Sequence, residues 1–274
     1  MKKNTKIMLW LFFLIIAAVQ LFPFIWLVNF SFTSSSEFYS SSILKWPDAP
    51  QWQNYINAWV DGKFARYFFN SFFVTAVTIV LTVVLSLTLG YAFTRMQWKL
   101  RSLFFTVILL GIMIPIHATL LPNFAIFKSL GLTDSYLGLI LPYTAVSVPL
   151  GTFMLTGFLR SIPKAMEESA VIDGANIYRI VFGIIAPLTA PALVTIVVTT
   201  FLNCWNEFIM ASTFLSRDSL KTLPFSVMNF TGQYSSDYGS QFAVMVLTSV
   251  PAIIIYAIFN EQITKGVTAG AVKG

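Results

Sequence analysis

The chain has 274 residues, of which 57% are hydrophobic and only 10% charged, with a mean hydropathy of +0.76 and a net charge of +6. So little polar surface cannot cover a water-soluble globule of this length, and the composition describes an integral membrane protein. A single cysteine, Cys204, excludes a disulfide framework and a cysteine-based metal site.

A hydrocarbon core about 30 Å thick needs about 20 apolar helical residues, because backbone amides in lipid must be satisfied within their own segment. Six stretches qualify, at residues 7–30, 68–93, 103–127, 136–159, 181–205 and 242–259. They are continuous and do not alternate, which predicts an all-α integral membrane protein with six transmembrane helices rather than a β-barrel.

The first stretch follows Lys2, Lys3 and Lys6, as a secretory signal would. Its apolar run continues through Pro23 and Trp26 with no small-residue cleavage site, which predicts a retained membrane helix. Residues 31–67 then lie outside the membrane, where Trp46, Trp52 and Trp59 are expected as interfacial anchors. His117, close to Pro115 in the third stretch, has no acid near it in sequence and is expected in a structural or pore-edge role. Asn29, Asn70, Ser86, Thr88, Asn123, Asn203 and Asn206 are polar groups within or bordering the spans; such groups hydrogen-bond between helices or line a path. Asn123, Asn203 and Asn206 are the candidates for a translocation path. No pair of carboxylates lies deep in a span, which speaks against proton coupling.

With the N-terminus inside, eleven of the 17 lysines and arginines fall on the cytoplasmic side, which predicts that both termini are cytoplasmic. The positive charge therefore reflects orientation in the membrane and not a nucleic-acid footprint.

This topology puts a polar island, residues 161–191, on the cytoplasmic side between the fourth and fifth spans. Ser161 and Pro163 suit a helix start, and Ile162, Ala165, Met166, Ser169, Ala170 and Ile172 recur at three-to-four spacing, opposite Lys164, Glu167, Glu168 and Val171. Gly174 supplies the permissive backbone that ends the helix, and Asp173 and Asn176 are candidate caps for the next one. Pro187 and Pro191 predict a kink near the entry of the fifth span. The residues alone leave two readings of the short helix: an interfacial joint between spans, or a dock for a soluble partner to which Glu168 offers a carboxylate.

Several functions are excluded. There is no Gly-x-Ser-x-Gly, no His-Glu-x-x-His and only one histidine, so the chain lacks the constellation of a membrane hydrolase. It has no Gly-x-x-x-x-Gly-Lys phosphate cradle, so ATP energy would have to come from another chain. A secondary transporter or channel of six helices, uncoupled from ATP, is the competing reading.

Glu168-Ser169-Ala170, Asp173-Gly174-Ala175, Ile184, Pro187-Leu188 and Pro191 resemble the EAA loop of ATP-binding-cassette importer permeases. Met113-Ile114-Pro115, Leu130-Gly131-Leu132, Gly138-Leu139-Ile140-Leu141-Pro142, Ser161-Ile162-Pro163, Trp205-Asn206-Glu207, Thr222-Leu223-Pro224 and the terminal run from Gly266 to Gly274 follow in the order seen in the carbohydrate-importer permeases similar to the second membrane subunit of the maltose transporter. The resemblance covers about residues 66–274. It departs at Ser169, where the family usually has alanine, and serine is small enough to keep a close helix approach.

The resemblance implies a type I importer permease (MetI-like) fold, with an N-terminal helix and extracytoplasmic loop at 1–65, the permease domain at 66–260 and a cytoplasmic tail at 261–274. It implies a bacterial or archaeal plasma membrane location and import of a sugar or oligosaccharide delivered by a solute-binding protein, which the loop at 206–241 contacts. The partners implied are a second homologous permease and two ATPase subunits, which carry the ATP and Mg2+. This chain itself is expected to bind no cofactor or metal and to catalyse nothing. At the ATPase, Glu168 would form the ion pair and Gly174 the turn, with Ser169, Ala170, Ile172, Asp173 and Ala175 completing the coupling segment. Thr268, Ala269, Gly270 and Lys273 would reach between the two ATPase subunits, where the residues alone suggest only a frayed terminus.

Overall fold

The computed structural model describes residues 3–38, 45–232 and 236–271. In chain order its helices are α1 (Lys3–Ser31), α2 (Ser35–Phe38), α3 (Gln53–Val60), α4 (Phe64–Thr94), α5 (Arg101–Leu110), α6 (Leu120–Ser129), α7 (Leu137–Leu159), α8 (Ala165–Ile172), α9 (Ala186–Leu188), α10 (Ala190–Trp205), α11 (Ile209–Phe214), α12 (Phe225–Met228) and α13 (Tyr238–Ala271). Among the described residues the one β-type pairing is an isolated bridge between Thr231 and Ser236.

Among the described residues four helices, α1, α4, α7 and α13, are long and apolar enough to cross a membrane, and the number reaches six if each of two bent pairs is one span. One bent pair breaks the third apolar stretch. Arg101–Met113 and Ile116–Ser129 meet at 94°. Pro115 disfavours the helical conformation in the residue before it, and Ile114 is extended with ψ 110°. The second pair, Arg179–Leu188 and Ala190–Trp205, bends by 83° where the two prolines predict a kink. Neither Pro187 nor Pro191 can donate to the carbonyl four residues back, which loosens the ladder on both sides of Thr189. At this break the Thr189 hydroxyl donates to the carbonyls of Ile185 (2.9 Å) and Ala186 (3.2 Å).

The chain divides into two compact units, residues 1–67 with 223–251, and residues 68–222 with 252–274. In the first, the buried Asn54 amide donates to the Ser31 and Thr33 carbonyls, both at 3.0 Å, and satisfies acceptors at the end of α1. A Cβ on Gly239 would come within 2.4 Å of the Asn54 Nδ2, so only glycine permits this approach. Asp237 precedes α13, accepting from the Ser240 amide and from the Ser35 hydroxyl (2.8 Å). Burial works to raise its pKa, but hydrogen bonds from Ser240, Ser35 and Asn57 prevail and hold it below the usual carboxylate range. Trp46, Trp52 and Trp59 are all exposed, with Trp52 edge-on to Phe32 and Trp59 stacked on Phe64.

In the second unit the core gathers Leu87, Tyr91, Leu155, Leu159, Ile180, Val181, Ile185, Ala192 and Ile196 from α4, α7, the segment after α8, and α10. Small residues let α4 and α7 approach closely: a Cβ on Gly90 would lie 3.0 Å from that of Leu155, and one on Gly151 would lie 2.3 Å from the Ser86 hydroxyl. This packing carries the polar island between the ends of α7 and α10.

Candidate functional site

The polar island folds as a short helix closed by a left-handed turn. Gly174 has φ +79°, and its amide donates to the Val171 carbonyl (3.0 Å) while the Ala175 amide reaches back to that of Ala170 (2.9 Å). Those two bonds are the paired closure of a Schellman cap, which needs a residue without a Cβ penalty at the left-handed position. Asn176 then caps the following helix, its Oδ1 accepting from the Arg179 amide at 2.9 Å. Of the two candidate caps named from sequence, it is Asn176 that fills this position.

The helix is rotated from the orientation that its apolar spacing predicts. Ile172 is 85% exposed, Met166 is also exposed, and it is Glu167 that is buried. The reason is a charge on the neighbouring helix. Arg95, one residue past α4, places its Nε 2.6 Å from the Glu167 Oε1, and both side chains are at most 10% exposed. The same guanidinium donates through Nη2 to the Ile162 carbonyl at 2.7 Å. A cation buried at the end of an apolar helix demands an anion, and that demand outranks the burial of a few aliphatic groups.

Glu168, one residue on and about 100° around the helix, is left on the outer surface. With Lys164, Val171 and Ile172 it borders an open groove of about 420 Å³, at whose floor lie Tyr91, Arg95 and Glu167. Ser169 spends its hydroxyl on the Ala165 carbonyl (2.9 Å), and Asp173 and Gly174 are exposed, with Ala170 and Ala175 half-buried against the core. The segment thus presents a carboxylate, aliphatic side chains and a tight turn outward from a rigidly anchored helix.

A second site lies among the bend at residues 111–119, α6, α7 and α10. Three adjoining cavities of about 590, 330 and 160 Å³ all include Val146 in their walls. Asn203 borders the largest and the smallest, Asn206 the largest, and Asn123 the intermediate one. The Asn123 amide donates to the Thr119 hydroxyl and that of Asn206 to the Leu202 carbonyl, both at 3.0 Å. His117, Tyr143 and Glu207 join the wall of the largest cavity. Sequence reasoning missed Glu207 as part of this wall. Its carboxylate accepts locally from the Met210 and Ala211 amides at the start of α11, and from the Tyr143 hydroxyl, a contact between distant parts of the chain that no local pattern reveals. Asn70, in contrast, is bound to loops: its amide donates to the Ser219 and Lys221 carbonyls, and its carbonyl accepts from the Tyr136 hydroxyl.

Near the C-terminus, α13 continues as helix to Ala271, so Thr268, Ala269 and Gly270 belong to its last turns. Lys273 lies outside the described residues.

Comparison with known proteins gives a consistent likeness. Residues 82–269 match the family described as binding-protein-dependent transport system inner membrane component. The chain is 36% identical over 93% of its length to the sulfoquinovosyl glycerol transport system permease protein of Agrobacterium fabrum, covering 89% of that protein. It is 31% identical to the trehalose/maltose transport system permease protein of Thermococcus litoralis, over 95% of this chain and 94% of that one. Among solved structures, a chain of a bacterial ABC transporter involved in the import of the acidic polysaccharide alginate superimposes with a TM-score of 0.83, covering 95% of this chain and 97% of that one at 21% identity.

Proposed function

Because the chain belongs to the family of binding-protein-dependent transport system inner membrane components, we propose that it is the sugar-translocating permease subunit of an ATP-binding-cassette importer. The observation that carries the solute class is near full-length similarity to permeases of sugar transport systems. A separate ATPase supplies the energy, a solute-binding protein delivers the sugar, and a second homologous permease completes the pathway.

The exposed face of α8 docks the ATPase. Glu168 offers the carboxylate, Ile172 the apolar contact, and the Gly174 turn holds Ser169, Ala170, Asp173 and Ala175 in register. An exposed ion pair contributes only about 0–1 kcal/mol, so packing of the aliphatic groups dominates the docking free energy. The tail residues Thr268, Ala269, Gly270 and Lys273 contact the ATPase pair. Both termini are cytoplasmic, ATP and Mg2+ sit on the ATPase, and this chain performs no catalysis. Asn123, Asn203 and Asn206 offer hydrogen bonds to sugar hydroxyls along the adjoining cavities.

Copurification of the chain with its ATPase and partner permease, followed by ATPase assays with the binding protein across a panel of sugars, tests this reading. A sugar-dependent rise in ATP hydrolysis is expected. A chain that copurifies with no ATPase and transports by itself is the six-helix secondary carrier instead.

A further inference from the structure

We propose that α4 is a stiff rod that couples the ATPase-docking helix at one end to outer loops at the other, with Arg95 and Asn70 as the positioning residues at its two ends. The inference rests on the importer reading above and specifies how that coupling crosses the membrane.

Among the described long helices, α4 alone has neither a proline nor a break. α1 contains Pro23, α7 contains Pro142 and Pro149, and α13 contains Pro251, while the two remaining spans bend by 94° and 83°. Sharp kinks arise at prolines and ladder breaks, so an unbroken helix of 31 residues transmits displacement where its neighbours flex. Both ends are gripped. At one, Arg95 continues the ladder through its amide to the Tyr91 carbonyl (2.8 Å), and its guanidinium holds α8 by Glu167 and the preceding loop by the Ile162 carbonyl.

At the other end, the buried Asn70 commits both its amide and its carbonyl. The amide donates to the Ser219 (2.9 Å) and Lys221 (2.8 Å) carbonyls, and the carbonyl accepts from the Tyr136 hydroxyl (2.8 Å). Two loops are thereby fixed to one side chain. Asn70 and Arg95 stand about 37 Å apart along a helix that rises about 1.5 Å per residue, enough to link the two faces of a bilayer. Movement of α8 on ATPase closure therefore reaches the loops held by Asn70. By reciprocity, a binding protein engaging those loops changes the state of α8.

The test uses the whole complex of this chain, partner permease, ATPase and binding protein in nanodiscs, with ATP hydrolysis measured with and without loaded binding protein. Asn70→Ala and Glu167→Gln are each expected to lower the stimulation ratio roughly tenfold while basal hydrolysis stays within about twofold. The double variant is expected to be no worse than the poorer single one. Exchange of the charges, Arg95→Glu with Glu167→Arg, restores most of the stimulation.

Sites this far apart act additively when they are independent, so a double variant at the product of the two single effects overturns the rod. Unchanged stimulation in either single variant also overturns it, as does loss of assembly in both Glu167→Gln and the exchanged pair, which marks a merely structural role. A wild-type complex without any stimulation removes the importer reading and this inference together, whereas additive variants of a stimulated complex remove this inference alone.

Discussion

The Arg95 guanidinium meets the Glu167 carboxylate at 2.6 Å, with both side chains nearly excluded from solvent, and so pins α8 to the end of α4. The pair decides which of two adjacent glutamates faces inward. Glu168 is free for a partner because Glu167 is not.

The two glutamates should therefore behave oppositely on truncation. Glu167→Ala strands a buried guanidinium and is expected to destabilise the fold by about 3–5 kcal/mol, whereas Glu168→Ala at an exposed site should stay within about 0.5 kcal/mol. Thermal unfolding in detergent reads the first effect. Retention of the ATPase on an affinity column reads the second, and there Glu168→Ala should be the weaker binder despite its normal stability.

At Gly174 the conformation, not the space, is limiting. An added Cβ would meet nothing within 4 Å, but φ is +79°. Gly174→Asn, a side chain that tolerates the left-handed region, should preserve uptake, while Gly174→Val should cost roughly 1–2 kcal/mol in the turn and uncouple hydrolysis from uptake. Equal uptake by both variants at equal expression argues against the role of this turn.

The contact between α4 and α7 makes a packing prediction. Gly151→Ala drives a methyl into Ser86 and should lower stability by about 1–3 kcal/mol, with Ser86→Gly in the same chain recovering most of the loss. Melting temperatures of the two single variants and the double variant check the compensation.

Outside the membrane, Asp134 fastens two loops. Its Oδ1 accepts from the amides of Arg217 and Ser216, and the Arg217 amide is the main cause holding its pKa below the usual carboxylate range, against the opposing effect of burial. A depressed carboxyl contributes stability above its unfolded value, and that contribution disappears as pH falls through the folded value. The amides of Ser216 and Arg217 should therefore be protected from hydrogen exchange at pH 7 and lose that protection, relative to intrinsic rates, below about pH 4. Asp134→Ala should remove it at every pH.

What could be read from sequence follows the range of the forces involved. The span segments, the Gly174 turn and the Asn176 cap depend on hydropathy or on residues within one or two turns, and they were legible at that distance. The burial of Glu167 was not, because periodicity ranks aliphatic groups above carboxylates and knows nothing of Arg95, far away in the chain. One local signal existed: neighbouring helical residues point about 100° apart, so both members of Glu167-Glu168 cannot share one face. The bend at Ile114 and Pro115 was also locally encoded, yet continuous hydropathy masked it. The bond between Glu207 and Tyr143 depends wholly on tertiary structure.

The most direct test is sugar uptake into proteoliposomes that hold the chain with its partner permease and ATPase, with loaded binding protein on the delivery side and ATP on the other. At least one sugar should accumulate, only with ATP and the ATPase present, and Glu168→Lys should abolish accumulation while the protein remains inserted. Accumulation by this chain alone, without ATPase or ATP, contradicts the account.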